Sequence, residues 1–124
     1  MAFTLEYLER EGIIFAYTFE VMTQQELIKL AEEAFALGTR HGVDRYLVDH
    51  LDMTPDLDTL DIFDLPKIHQ ELGLNGNVKV AAVYSEHNLK KEDFEMYQMR
   101  AWSQGIHNLR HFNDMQQAMT WLLA

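Results

Sequence analysis

The sequence predicts a single α/β domain with a mainly parallel sheet and helices on both faces. Three observations carry that prediction. Short segments with the two-residue alternation of strands take turns with segments of helical spacing. The run VKVAAVY, residues 78–84, is almost unbroken in apolar character, as in a strand covered on both sides. No glycine- and serine-rich linker, low-complexity tract or internal repeat divides the 124 residues, a length that supports one domain with its own core.

Phe3-Thr4-Leu5-Glu6-Tyr7-Leu8 alternates apolar and polar side chains and reads as a half-exposed strand. Glu11-Gly12 marks a turn, and the β-branched and aromatic run from Ile13 to Phe19 is a second strand. So tight a connection implies an antiparallel hairpin. Thr23-Gln24-Gln25-Glu26 is a capping box, in which hydroxyl and carboxylate each accept from the other residue's amide. Leu27, Leu30, Ala31 and Ala34 then follow helical spacing, and Gly38 or Gly42 closes the helix. Arg45 to Asp49 is a third strand. Leu65, Ile68 and Leu72 outline a second helix, with Pro66 in its first turn and Gly73 past its end. Val78 to Tyr84 is the fourth strand. Lys91 to Ser103 is helical, with Tyr97 and Ala101 on one face. Asn108 to Phe112 is the last strand, and Asn113 caps a final helix with Met115, Ala118, Met119 and Leu122 as its buried stripe. The order β-β-α-β-α-β-α-β-α requires crossovers, hence parallel pairing.

Composition excludes several functions. Ten basic against twenty acidic residues give a formal charge of −10. Nucleic-acid binding requires cations that displace counterions from phosphates. The one basic pair, Lys90-Lys91, is followed at once by Glu92-Asp93. The absence of cysteine removes disulfides, thiolate zinc sites and cysteine nucleophiles together. MAFTLEYLEREG has neither a basic n-region nor an apolar h-region, and no apolar run approaches the ~20 residues of a membrane span. The expectation is an acidic cytoplasmic protein without a signal peptide, which binds no nucleic acid and does not insert into membranes.

RYLVDHLDM ends a strand in an aspartate, VKVAAVYS supplies the next buried strand, and LRHFNDMQQAMTWLL closes the chain as a strand and a helix. In the last segment Phe112, Asp114, Ala118, Trp121 and Leu122 stand at recurring positions. This set resembles the SpoIIAA-like fold, that of STAS domains (anti-sigma-factor antagonists) and of small bacterial proteins described as STAS/SEC14-like. The likeness spans almost the whole chain through its element order and implies a fold more than an activity. It also implies a homodimer, for which the methionine- and aromatic-rich helices offer an apolar face. In the antagonists a serine in an Asp-Ser-Ser-Gly turn after this strand is a phosphorylation switch. The counterpart is Asp58-Thr59-Leu60-Asp61: Asp58 and Thr59 match the first two positions, while Leu60 and Asp61 replace the second serine and the glycine.

Ligands of such sheets bind beyond the carboxyl ends of the strands. The candidate cleft for a ligand or partner is therefore Asp49, His50, Asp52 and Thr54 after the third strand, with Ser85 and His87 after the fourth. The acidic stretch DHLDMTPDLDTLD fits no calcium loop. Counted from Asp52, the sixth and twelfth positions are Leu57 and Phe63; from Asp56 they are Asp61 and Lys67, where a glycine and a glutamate are needed. His107 and His111, four apart on a strand, stand about 13 Å from each other and cannot share an ion. Both read as surface histidines, and His69 as facing outward from its helix. No Gly-x-Ser-x-Gly elbow or glycine-rich phosphate loop is present. No metal or cofactor is expected. The leading expectation is a non-enzymatic binding or regulatory module acting through a protein partner or a small apolar ligand. The alternatives are a small enzyme using Asp49, His50 and His87, or a phospho-switched antagonist using Thr59.

Overall fold

The computed structural model describes residues 2–85, 87 and 90–124. The elements are β1 (Phe3–Leu8), β2 (Ile13–Thr23), α1 (Gln24–His41), β3 (Arg45–Asp56), α2 (Thr59–Leu72), β4 (Lys79–Tyr84), α3 (Lys91–Ser103), β5 (Leu109–Phe112) and α4 (Met115–Leu123). They form one α/β unit with a five-stranded mixed sheet in the order β1-β2-β3-β4-β5. The β1 and β2 pair is antiparallel, and every later pair is parallel.

Sequential order decides where the helices go. Each crossover steps one strand in the same direction, so right-handed connections put α1, α2 and α3 on the same face. There α1 packs on α2 and α2 on α3, while α4 lies over β3, β4 and β5. Strand alternation sorts the core accordingly. Ile14, Ala16, Tyr46, Val80 and Leu109 meet the three-helix layer. Ile13, Leu47, Ala81 and Val83 meet Ala118 and Leu122 of α4. Lys79 pins α4 to the sheet, its Nζ donating to the Trp121 carbonyl oxygen at 2.6 Å and lying 4.5 Å from the centre of the indole ring.

The Thr23 and Glu26 capping box forms as expected, and Gly42 ends α1 in the left-handed conformation at φ 67°. Several boundaries differ from expectation. The hairpin connection is four residues, Glu9–Gly12, closed by Gly12 N–H on the Leu8 carbonyl at 2.8 Å. β3 does not stop at Asp49 but continues to Asp56, because β2 also runs on to Thr23 and pairs with it from Phe19↔Asp52 to Thr23↔Asp56. Pro55 is tolerated there: β4 pairs no further than His50, so the strand has a neighbour on one side only. α2 begins at Thr59, which leaves Pro66 in its interior and the Ile62 carbonyl without a helical donor. The cap of α4 is Asp114, not Asn113.

Candidate functional site

Each of the strands β2 to β5 carries one inward polar side chain toward its carboxyl end, and β2 and β3 run on beyond it to buried Met22 and Met53. Thr18 shares strand parity with Ile14 and Ala16, His50 with Tyr46 and Val48, Tyr84 with Val80 and Ala82, and His111 with Leu109. His50 and Tyr84 are register partners, and the β4 to β5 register brings His111 beside them. A polar row therefore crosses the sheet under the three-helix layer, at the end where sheets of this kind bind ligands. From above, α2 adds His69 and α3 adds Tyr97.

The members are in direct contact. The His50 ring stacks on Tyr84 with centroids 4.6 Å apart, Tyr84 lies 5.3 Å from His111, and His111 meets Tyr97 edge-on at 5.1 Å. His69 Nδ1 and the Tyr97 hydroxyl are 2.6 Å apart. Thr18 and His50 are buried polar residues of the core, at 0% and 4% exposure. The Thr18 oxygen lies 3.1 Å from the Asp49 carbonyl oxygen and 2.7 Å from His50 Nδ1. A hydroxyl has one hydrogen, and only that hydrogen can serve the carbonyl. His50 Nδ1–H is then the donor to Thr18, and the neutral ring carries its lone pair on Nε2. The local register supports this contact: two residues of β3 face Thr18 between the Tyr17↔Asp49 and Phe19↔Asp52 pairs. Bulges of this kind re-aim side chains beside functional sites.

Burial keeps the cluster uncharged at neutral pH. It lowers the His50 imidazole to about 3, with the neighbouring His111 and His69 adding to the effect. It lowers His69 and His111 to about 4 each. Burial also raises the Tyr84 and Tyr97 phenols above their ordinary range. The site thus offers neutral donors and acceptors rather than fixed charge. Beside it lies a cavity of about 100 Å³ between the sheet and the three helices. Ile14, Leu27, Leu30, Met53, Ile62 and Leu65 form its apolar wall, and His50, His69, Tyr84, Tyr97 and His111 its polar end.

Of the residues expected from sequence, His50 alone lines this cavity. Asp49 pairs with Val83 on the opposite face, and its carboxylate accepts from Leu51 N–H at 2.9 Å. Asp52 accepts from the Tyr17 hydroxyl at 2.5 Å, and that hydrogen bond raises the Tyr17 phenol. Thr54 is exposed on β3. Ser85 accepts from His87 N–H at 3.2 Å, and His87 is exposed in the turn. Asp58 is the cap of α2, and Thr59 is its exposed first residue. Two expectations are corrected. His69 does not face outward, because its ring packs against Tyr97. His111 is not a surface histidine, because its parity on β5 turns it under α3. The missed strand members, Thr18, Tyr84 and His111, carried a legible signal: a polar residue on the apolar parity of a strand. No group of three or more histidine, aspartate or glutamate side chains among the described residues is arranged to hold a metal ion.

No protein-family model matches the sequence, and the curated proteins offer no matching relative. Solved structures do match the fold. One is an uncharacterized protein of the DUF3478 family from Shewanella loihica PV-4, described as having a SpoIIAA-like fold. It superposes with a TM-score of 0.57 at 15% identity, over 98% of this chain and 92% of that one. The five-stranded mixed sheet, the four helices and this superposition together identify the fold of the chain as SpoIIAA-like.

Proposed function

We propose that the protein is a non-enzymatic binding module that takes a small, largely apolar molecule into the cavity between the sheet and α1–α3. The observation that carries this reading is the cavity's composition. An apolar wall ends in converging neutral imidazoles and phenols at the carboxyl ends of the strands. Apolar pockets with a few placed polar groups are the usual form of small-molecule sites. Occupancy would bear on α2 and α3, which roof the cavity and carry exposed Leu60, Phe63, Met99 and Trp102. Those side chains favour a homodimer or a protein partner as the recipient of the signal. The acidic chain, with no helix among the described residues long and apolar enough to cross a membrane, suits a cytoplasmic protein.

A small enzyme built on Asp49, His50 and His87 has less support. Asp49 and His50 project to opposite faces, and His87 is exposed beyond the end of β4. Native mass spectrometry of protein purified without added ligand tests the proposal. The expected result is a dimer with a small organic molecule retained. Bare mass after gentle purification, with no stabilisation by any small apolar molecule, would remove the binding reading.

A further inference from the structure

We infer that the cavity takes an uncharged, single-ring molecule bearing one hydrogen-bond donor, of the chemical class of phenols, with the donor received by His50. This rests on the ligand-binding reading above and specifies its chemistry.

Size sets the first limit. The cavity measures about 100 Å³, and an engineered protein cavity of about 150 Å³ accommodates benzene. The smaller volume here excludes anything larger than one ring, and a single ring presses on the roof helices. Charge sets the second. Among the described residues no lysine or arginine lines the cavity, and the one charged lining residue is Asp93 in the first turn of α3. A carboxylate ligand would be buried without a counterion and beside a like charge. An ammonium ligand would have one carboxylate at most and would lose its hydration against an apolar wall. Polarity sets the third. His50 uses Nδ1 on Thr18, so Nε2 has only a lone pair to offer. Burial holds the ring neutral at ordinary pH. The His69 Nδ1 position is already engaged with the Tyr97 hydroxyl. The group that matches this lone pair is a donor on an apolar body: a phenolic hydroxyl can donate to it, and benzene cannot.

The test is a matched series on the intact protein: phenol, benzene, benzoate and benzylammonium, followed by calorimetry and by the imidazole nitrogen shifts. Phenol should bind about fivefold more tightly than benzene, the advantage of one neutral hydrogen bond, and should move the lone-pair nitrogen of His50. The two ions should not bind. His50→Phe keeps a ring against Tyr84 and removes the lone pair, so it should bring the phenol-to-benzene ratio to about one. If that variant does not fold, the nitrogen shift in the unaltered protein decides. Equal affinity for phenol and benzene, or preference for benzylammonium, would overturn the inference while leaving the binding module intact. A retained molecule larger than one ring would do the same. No binding of any probe, with bare protein in native mass spectrometry, would overturn both.

Discussion

Thr18 is the smallest member of the buried cluster and its hinge pin. Its oxygen receives His50 Nδ1–H while its hydrogen goes to the Asp49 carbonyl. Thr18→Val keeps the shape and removes both roles, so it orphans a buried imidazole N–H. The expected loss is about 1–3 kcal/mol in chemical denaturation, and Thr18→Ser should recover most of it. Gly38 makes a different kind of demand. It lies inside α1, where a Cβ would collide with the Tyr46 hydroxyl. The Tyr46 ring is itself wedged edge-on against Phe35 at 5.0 Å. Gly38→Ala normally gains helix propensity. Here it should lower stability by about 1–3 kcal/mol through overpacking, and a gain in midpoint would refute the close approach.

Among the elements, α2 shows how local chemistry competes with a more visible pattern. Leu65, Ile68 and Pro66 point to a helix that starts late. The actual start is set by Asp58 and Asp61, which cap each other: Asp61 N–H donates to Asp58 Oδ1 at 2.8 Å and Asp58 N–H to Asp61 Oδ2 at 3.1 Å. Asp58→Ala should cost about 1 kcal/mol, whereas Thr59→Ala, one residue on and exposed, should stay within about 0.5 kcal/mol. A phosphate on Thr59 would add about −1.5 to −2 charges beside Asp56, Asp58 and Asp61, with the cap amides already occupied. Thr59→Glu should therefore be neutral or destabilising and should not alter partner binding. A changed oligomeric state or binding partner in that variant would restore the switch reading. The long β3 was illegible for a related reason. Aspartates and Pro55 disfavour a strand locally, and only the extended β2 beside it supplies the ladder that overrides them. By contrast β1, β4 and α3 could be placed within a residue of their observed bounds, because their patterns meet no local competitor. The site was half legible: His50 follows from its place at a strand end, but His69 and Tyr97 arrive from helices whose rotation the sequence did not set.

At the scale of the whole molecule, the three enclosed histidines link folding to acidity. In the unfolded chain each protonates near its ordinary 6.5, while in the fold His50 resists until about 3 and His69 and His111 until about 4. Above pH 6.5 both states are neutral and these groups add no pH dependence. As pH falls below 6.5 the unfolded state binds the extra protons, so stability declines by about 1.4 kcal/mol per pH unit for each histidine. The decline flattens only near pH 4 and below. Denaturation midpoints at pH 7, 5.5 and 4.5 should fall steeply, and His111→Phe should make the fall shallower; an unchanged slope would mean that His111 is not held neutral. Strand order has a consequence during synthesis. Each strand pairs with the one made just before it, so the three-helix face can close as the chain emerges. The opposite face has α4 as its cover, and α4 is translated after every strand of the sheet. Until Met115 to Leu123 leaves the ribosome, Ile13, Leu47, Ala81 and Val83 present a greasy, strand-backed surface to solvent. A nascent chain stalled at that point is a ready client for chaperones, and the final helix acts as the clasp that ends this exposure.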